Sequence, residues 1–170
     1  MSDGARIPRS APLARRLASL VYELLIASAI VLVAGFALTP LMSPVAGPDH
    51  ALVTPAPWAR IAGFVALVAL LGAYGAVGWS GGRRTLPMKT WRLALVDAAG
   101  APPTPSRALV RYAAAWIGPL VALAAYATTD TRWAALAVAL NYAWALVDRD
   151  RQFLHDRLAG TRLVDDRERP

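Results

Sequence analysis

The chain has 170 residues, 56% hydrophobic and only 17% charged, with a mean hydropathy of +0.41 and a formal net charge of +7. Charge is sparse for a soluble domain of this length and the apolar residues come in long runs, the signature of a membrane protein. The lack of cysteine excludes disulfides, thiolate metal sites and cysteine nucleophiles, and the basic balance points to loops facing anionic lipid headgroups rather than to nucleic acid.

The N-terminal stretch "MSDGARIPRSAPLARR" is polar. The apolar run after it is too long for a signal-peptide core, so it is expected to stay as a membrane span. That first run covers residues 17–38, "LASLVYELLIASAIVLVAGFAL", and the second covers residues 58–79, "WARIAGFVALVALLGAYGAVGW". Both meet the roughly 20 residues that a helix needs to cross the hydrocarbon core. Between them, "TPLMSPVAGPDHALVTPAPW" is rich in proline and reads as a loop.

The third run is residues 108–127, preceded by the turn-rich linker "DAAGAPPTPS", whose Ser106 is a candidate N-cap. Pro119 inside it lacks an N–H and predicts a kink. The fourth run, residues 131–147, is the shortest and would reach roughly 26 Å as an α-helix. It is a thin span if it stands upright.

Orientation follows from the basic residues. Of the 18, all but Arg60 and Arg132 fall before span one, around the connection between spans two and three, or after span four. The positive-inside rule therefore predicts cytoplasmic N- and C-termini and an even number of spans. The cytoplasmic parts carry their own patterns. "WRLALVD" (residues 91–97) alternates like a strand and "TRLVD" (residues 161–165) resembles it, so the two could pair as a ribbon. Residues 150–159 read as a short amphipathic helix, with Phe153, Leu154 and Leu158 on a face lying against the membrane surface and Gly160 ending it. The expected architecture is an all-α membrane protein with four transmembrane helices, a small cytoplasmic β-ribbon and a short amphipathic C-terminal helix. It forms one domain over residues 1–164, with a polar tail at residues 165–170.

Ionisable groups inside membranes are costly and usually partnered. Glu23 in span one, Arg111 in span three and Asn141 in span four fall at a similar depth, as do Tyr22, Tyr74, Tyr112 and Tyr142. This predicts a polar layer centred on a Glu23–Arg111 pair, with Asn141 and tyrosine hydroxyls completing it and Arg16 as the competing partner for Glu23. Two readings follow. Glu23 is the titrating group of an ion or proton site, or the layer is a clamp that fixes helix register. An Arg111 held against Glu23 would keep it ionised, which suits the clamp.

Other chemistry is thinly supported. His155 beside Asp156 is one histidine without a second ligand at helical spacing, and His50 belongs to the opposite face, so no metal is expected. No phosphate-loop, GxSxG, HExxH or dinucleotide fingerprint occurs, so no cofactor and no enzyme activity are expected. Gly72, Gly75, Ala76 and Gly78 form a small-residue stripe suited to internal packing or to a homodimer contact. Trp58, Trp79, Trp91 and Trp133 sit where an aromatic belt would lie.

Three segments, "LARRLASLVYELL", "GGRRTLPMKTWRLALVD" and "RDRQFLHDRLAGTRLV", together resemble the RDD family of bacterial multi-pass membrane proteins over residues 13–164. The family is named for an arginine and two aspartates. The resemblance places the arginine at Arg16, with Arg15 beside it, and the first aspartate at Glu23, which keeps the carboxylate on a longer arm. The second falls at Asp156, next to His155, with Asp148 as the alternative. It implies an inner-membrane protein and transport, with ion or proton antiport as the suggested activity. The expected function is a small ion-coupled transporter or transporter subunit. The alternative is a non-enzymatic scaffold binding a protein partner through its loop and tail. The expected partners are anionic headgroups and either a second copy, as a homo-oligomer, or another membrane protein.

Overall fold

The computed structural model describes residues 10–42 and 55–168. Most of the proline-rich loop, His50, and the basic residues Arg6, Arg9 and Arg169 lie outside the described residues.

Three segments are long and apolar enough to cross a membrane: Leu13–Thr39, Pro57–Gly78 and Pro105–Thr129. The first belongs to α1 (Leu13–Met42), which starts before the apolar run and carries Arg15 and Arg16 in its opening turns. At 1.5 Å per residue its 30 residues reach about 45 Å, well beyond a bilayer core of about 30 Å. The second is α2 (Pro57–Gly78). It ends in the turn "SGGRR", where Gly81 and Gly82 adopt φ of 59° and 77°, a region costly for any residue with a Cβ. A short α3 (Leu86–Thr90) follows.

The third segment is divided into α4 (Pro105–Ala115) and α5 (Ile117–Thr129) at Trp116, just ahead of Pro119. Its N-cap is Thr104, whose hydroxyl accepts from the Arg107 amide, and not Ser106. The fourth run departs most from expectation. Residues 132–146 form a 3-10 stretch (Arg132–Ala139), one turn of α-helix (α6, Leu140–Ala143) and a second 3-10 turn (Trp144–Leu146). The segment runs along α5, and Gly118 lets the two backbones touch: a Cβ there would sit 2.6 Å from the Val138 carbonyl oxygen and 3.1 Å from that of Ala137.

The ribbon forms, tightened to β1 (Leu93–Asp97) and β2 (Thr161–Asp165), antiparallel with Leu95 opposite Leu163. Ser10 bridges Val164, so the start of the chain adds a third edge. Both faces are buried, which a simple alternation did not anticipate. Leu93, Leu95 and Leu163 pack with Ala11, Met88 and Trp79, while Ala94, Val96 and Val164 pack on the other side. The amphipathic helix is only α7 (Leu154–Leu158), and Gly160, at φ 61°, follows it in left-handed geometry. Its expected anchor face is split. Leu158 is exposed, but Phe153 is buried inside, under the Arg16 guanidinium.

Residues 165–166 are not a free tail. The Asp165 carboxylate accepts from Arg15 at 2.6 Å, and Asp166 pairs with Arg84. The small-residue stripe is used within the chain, with Gly72 against the Tyr112 ring and Gly75 against Trp79.

Candidate functional site

The ribbon, α3 and α7 cap one end of the helices, and the polar groups collect beneath that cap. Arg111, in the second turn of α4, points at α7. Its Nε donates to Asp156 Oδ1 at 2.7 Å, and its guanidinium carbon stands 4.4 Å from the Trp79 ring centre. Asp156 is fully buried. Burial works to raise its pKa, but Arg111 foremost, then His155 and Arg16, outweigh burial and hold the carboxyl below the usual range.

His155 is buried beside this pair. Its Nε2 lies 3.3 Å from Arg111 Nη2. Arginine can only donate, so Nε2 accepts and the ring is neutral with its proton on Nδ1. Burial, then the Arg111 charge, drive its pKa down to about 4 against the pull of Asp156. Tyr142 meets His155 and Phe153 edge-on, at 5.8 Å and 5.4 Å between ring centres.

The predicted Glu23–Arg111 pair does not form, because Asp156 takes the arginine. Glu23 instead accepts from the Thr85 hydroxyl at 2.9 Å through Oε2, and its Oε1 is buried without a well-formed hydrogen bond among the described residues, with the equally unpaired Tyr74 hydroxyl beside the carboxylate. Arg16 does not reach Glu23 either. Its Nη2 donates to the Arg151 carbonyl, and its guanidinium lies 5.1 Å over Phe153. Asn141 is drawn into different work: its amide donates to the Ala115 carbonyl at 2.9 Å. Asp148, the alternative second aspartate, staples a local turn, accepting from the amides of Asp150 and Gln152 and from Arg157.

What unites these residues is a cavity of about 130 Å³. Arg16, Ser19, Glu23, Trp79, Arg111, Tyr142, Phe153 and His155 line it. It has room for several waters. Its walls hold both charge signs: Arg111 is neutralised by Asp156, while Glu23 keeps an uncommitted oxygen. Such a chamber can solvate a small cation or pass a proton to a carboxylate.

A model of the RDD family matches residues 10–160. The chain belongs to the RDD family. No curated protein and no solved structure matches it. This RDD protein is a membrane protein, mostly helical, with three helices among the described residues long and apolar enough to cross a membrane and a two-stranded ribbon. Of the positions that the resemblance suggested, Arg16, Glu23 and Asp156 lie under one cap, while the alternative Asp148 lies in the turn after the fourth segment. Arg16 and Glu23 line the cavity, and Asp156 sits directly behind Arg111. The clasp between Arg111 and Asp156 joins residues 45 positions apart in the chain.

Proposed function

We propose that this RDD protein is a small ion-coupled transporter, or the membrane subunit of one, in which Glu23 exchanges a proton for a cation. The observation that carries this reading is Glu23 Oε1, buried with no hydrogen-bond partner and no paired arginine among the described residues, on the wall of a cavity whose lining is otherwise mostly apolar. A carboxylate locked to arginine is committed to that partner, whereas one facing a cavity with room for water is open to a cation. The charge that would have locked it is held by Asp156.

The reading includes a bacterial inner-membrane location with cytoplasmic termini, supported by the distribution of basic residues. It also takes residues 132–146 as a fourth crossing. A 3-10 helix rises about 2 Å per residue, so this mixed segment reaches about 28 Å, longer than an α-helix of the same residues. The cavity is small, and a continuous path would be completed by a second copy in a homo-oligomer.

Flux measurement tests this. Purified protein in liposomes under imposed pH and sodium or potassium gradients is expected to exchange cation for proton, and Glu23→Gln to abolish the exchange while inserting normally. Absence of protein-dependent flux, together with a stoichiometric protein partner captured through the ribbon and tail, would favour a scaffold.

A further inference from the structure

A second depression lies on the outside of the cap and shares Arg16 with the Glu23 chamber. It is a groove of about 420 Å³ between the start of α1 and the turn after the fourth segment. Arg16, Arg149, Arg151 and Arg162 line it, with Ser10 and Asp150. Asp150 is already engaged, 2.9 Å from Arg157 and 3.7 Å from Arg162. The groove therefore carries a surplus of positive charge.

Two features show that the hydrogen-bonding capacity of this site is not filled among the described residues, although Asp156 and Asp148 attract the Arg16 charge from a distance. Arg16 is 1% exposed, yet its Nε and Nη1 have no hydrogen-bond partner among the described residues, and none of the ion pairs there involves it. Burying a guanidinium with two idle donors is costly unless something outside the chain meets them. The Ser10 hydroxyl, also lining the groove, is likewise buried and unpartnered. The second feature is α1 itself. Its positive N-terminal end opens at Pro12 and Leu13 on the groove, and its first turn has no acidic residue to offset it.

The occupant follows from position and chemistry. With residues 132–146 read as the fourth crossing, the groove sits where α1 enters its apolar run and where the chain leaves that segment, which on this reading puts it at the level of lipid headgroups. Arginine forks match phosphate oxygens in paired hydrogen bonds. We infer that this groove is a specific site for the phosphate of an anionic lipid headgroup, seated on Arg16 and the end of α1 and clasped by Arg149 and Arg151. The inference does not depend on the transport reading. It would make the lipid part of the folded cap, since Arg16 also holds the Arg151 carbonyl and covers Phe153.

The test uses the full chain in neutral detergent, titrated with phosphatidylglycerol, phosphatidylcholine or inorganic phosphate, with thermal unfolding and bound-lipid mass spectrometry as readouts. Phosphatidylglycerol is expected to bind and stabilise. The exposed pair Arg149→Gln, Arg151→Gln is expected to weaken this about thirtyfold, at about a factor of five for each arginine near the surface, with unchanged unfolding in the absence of lipid. Arg16→Gln is expected to abolish it. Equal stabilisation by phosphatidylcholine, equal stabilisation by inorganic phosphate, or an undiminished effect in the double variant would each overturn the assignment.

Discussion

The side-chain amide of Asn141 donates to the backbone carbonyl of Ala115 at 2.9 Å. In an α-helix that carbonyl would receive the N–H of residue 119, and residue 119 is a proline. Asn141 therefore supplies the donor that Pro119 lacks, and ties the fourth segment to the break between α4 and α5. In lipid, where water cannot serve, such a substitution is what allows a proline within a span.

Replacing Asn141 with leucine should leave a buried carbonyl unpaired and destabilise the protein by about 1–3 kcal/mol. Pro119→Ala in the same background should restore the N–H and recover most of the loss. Denaturant unfolding of the four proteins of this cycle in micelles checks it. A purely additive pair would show that the two residues are not coupled.

Gly118 makes a second, separable prediction. Its missing Cβ is what lets α5 approach the Val138 carbonyl, at 2.6 Å from where that carbon would stand. Gly118→Ala should cost about 1–3 kcal/mol by forcing the two backbones apart. Gly35 is the control, with nothing within 4 Å of its Cβ position. Gly35→Ala should stabilise α1 by up to about 1 kcal/mol.

The Arg111–Asp156 clasp joins a membrane helix to the cap. Removing one partner leaves the other charge buried alone, so Asp156→Ala should destabilise by about 3–5 kcal/mol. Asp156→Asn should release the cap, read as faster proteolysis after Gly160. Unchanged protection would show that the cap is held by the Arg15–Asp165 and Arg84–Asp166 pairs alone.

His155 gives a pH dependence with a definite sign. Its pKa falls from 6.5 unfolded to about 4 folded, so the unfolded chain binds the extra proton between those values. Stability from this group is complete above pH 6.5 and is lost as pH falls toward 4, by roughly 3 kcal/mol in all. The lowered carboxyls of Asp148, Asp156 and Asp165 add their losses only below their unfolded value of 3.8. His155→Gln should flatten the profile between pH 4 and 6.5, measured as melting temperature against pH.

Much of this architecture could be read from residue pattern. Long apolar runs announced the spans, and "WRLALVD" with "TRLVD" announced a ribbon whose pairing the structure sets as Leu93–Asp97 on Thr161–Asp165. Charge partners were less accessible. Equal depth suggested Glu23 for Arg111, but depth does not fix rotation about a helix axis, and Asp156 reaches in from the cap to take the arginine. The Asn141–Ala115 bond was written in the chain, as a proline inside a span and one amide in a facing apolar run. It required asking which carbonyl Pro119 abandons. The 3-10 winding of residues 132–139 had no local sequence signal.

Flux through reconstituted wild type and Glu23→Gln, compared at equal membrane incorporation, tests the account most directly. Proton-coupled cation exchange in the wild type, lost in Glu23→Gln, is the predicted result. Exchange that survives Glu23→Gln, or a wild type that moves no cation under any imposed gradient, would contradict it.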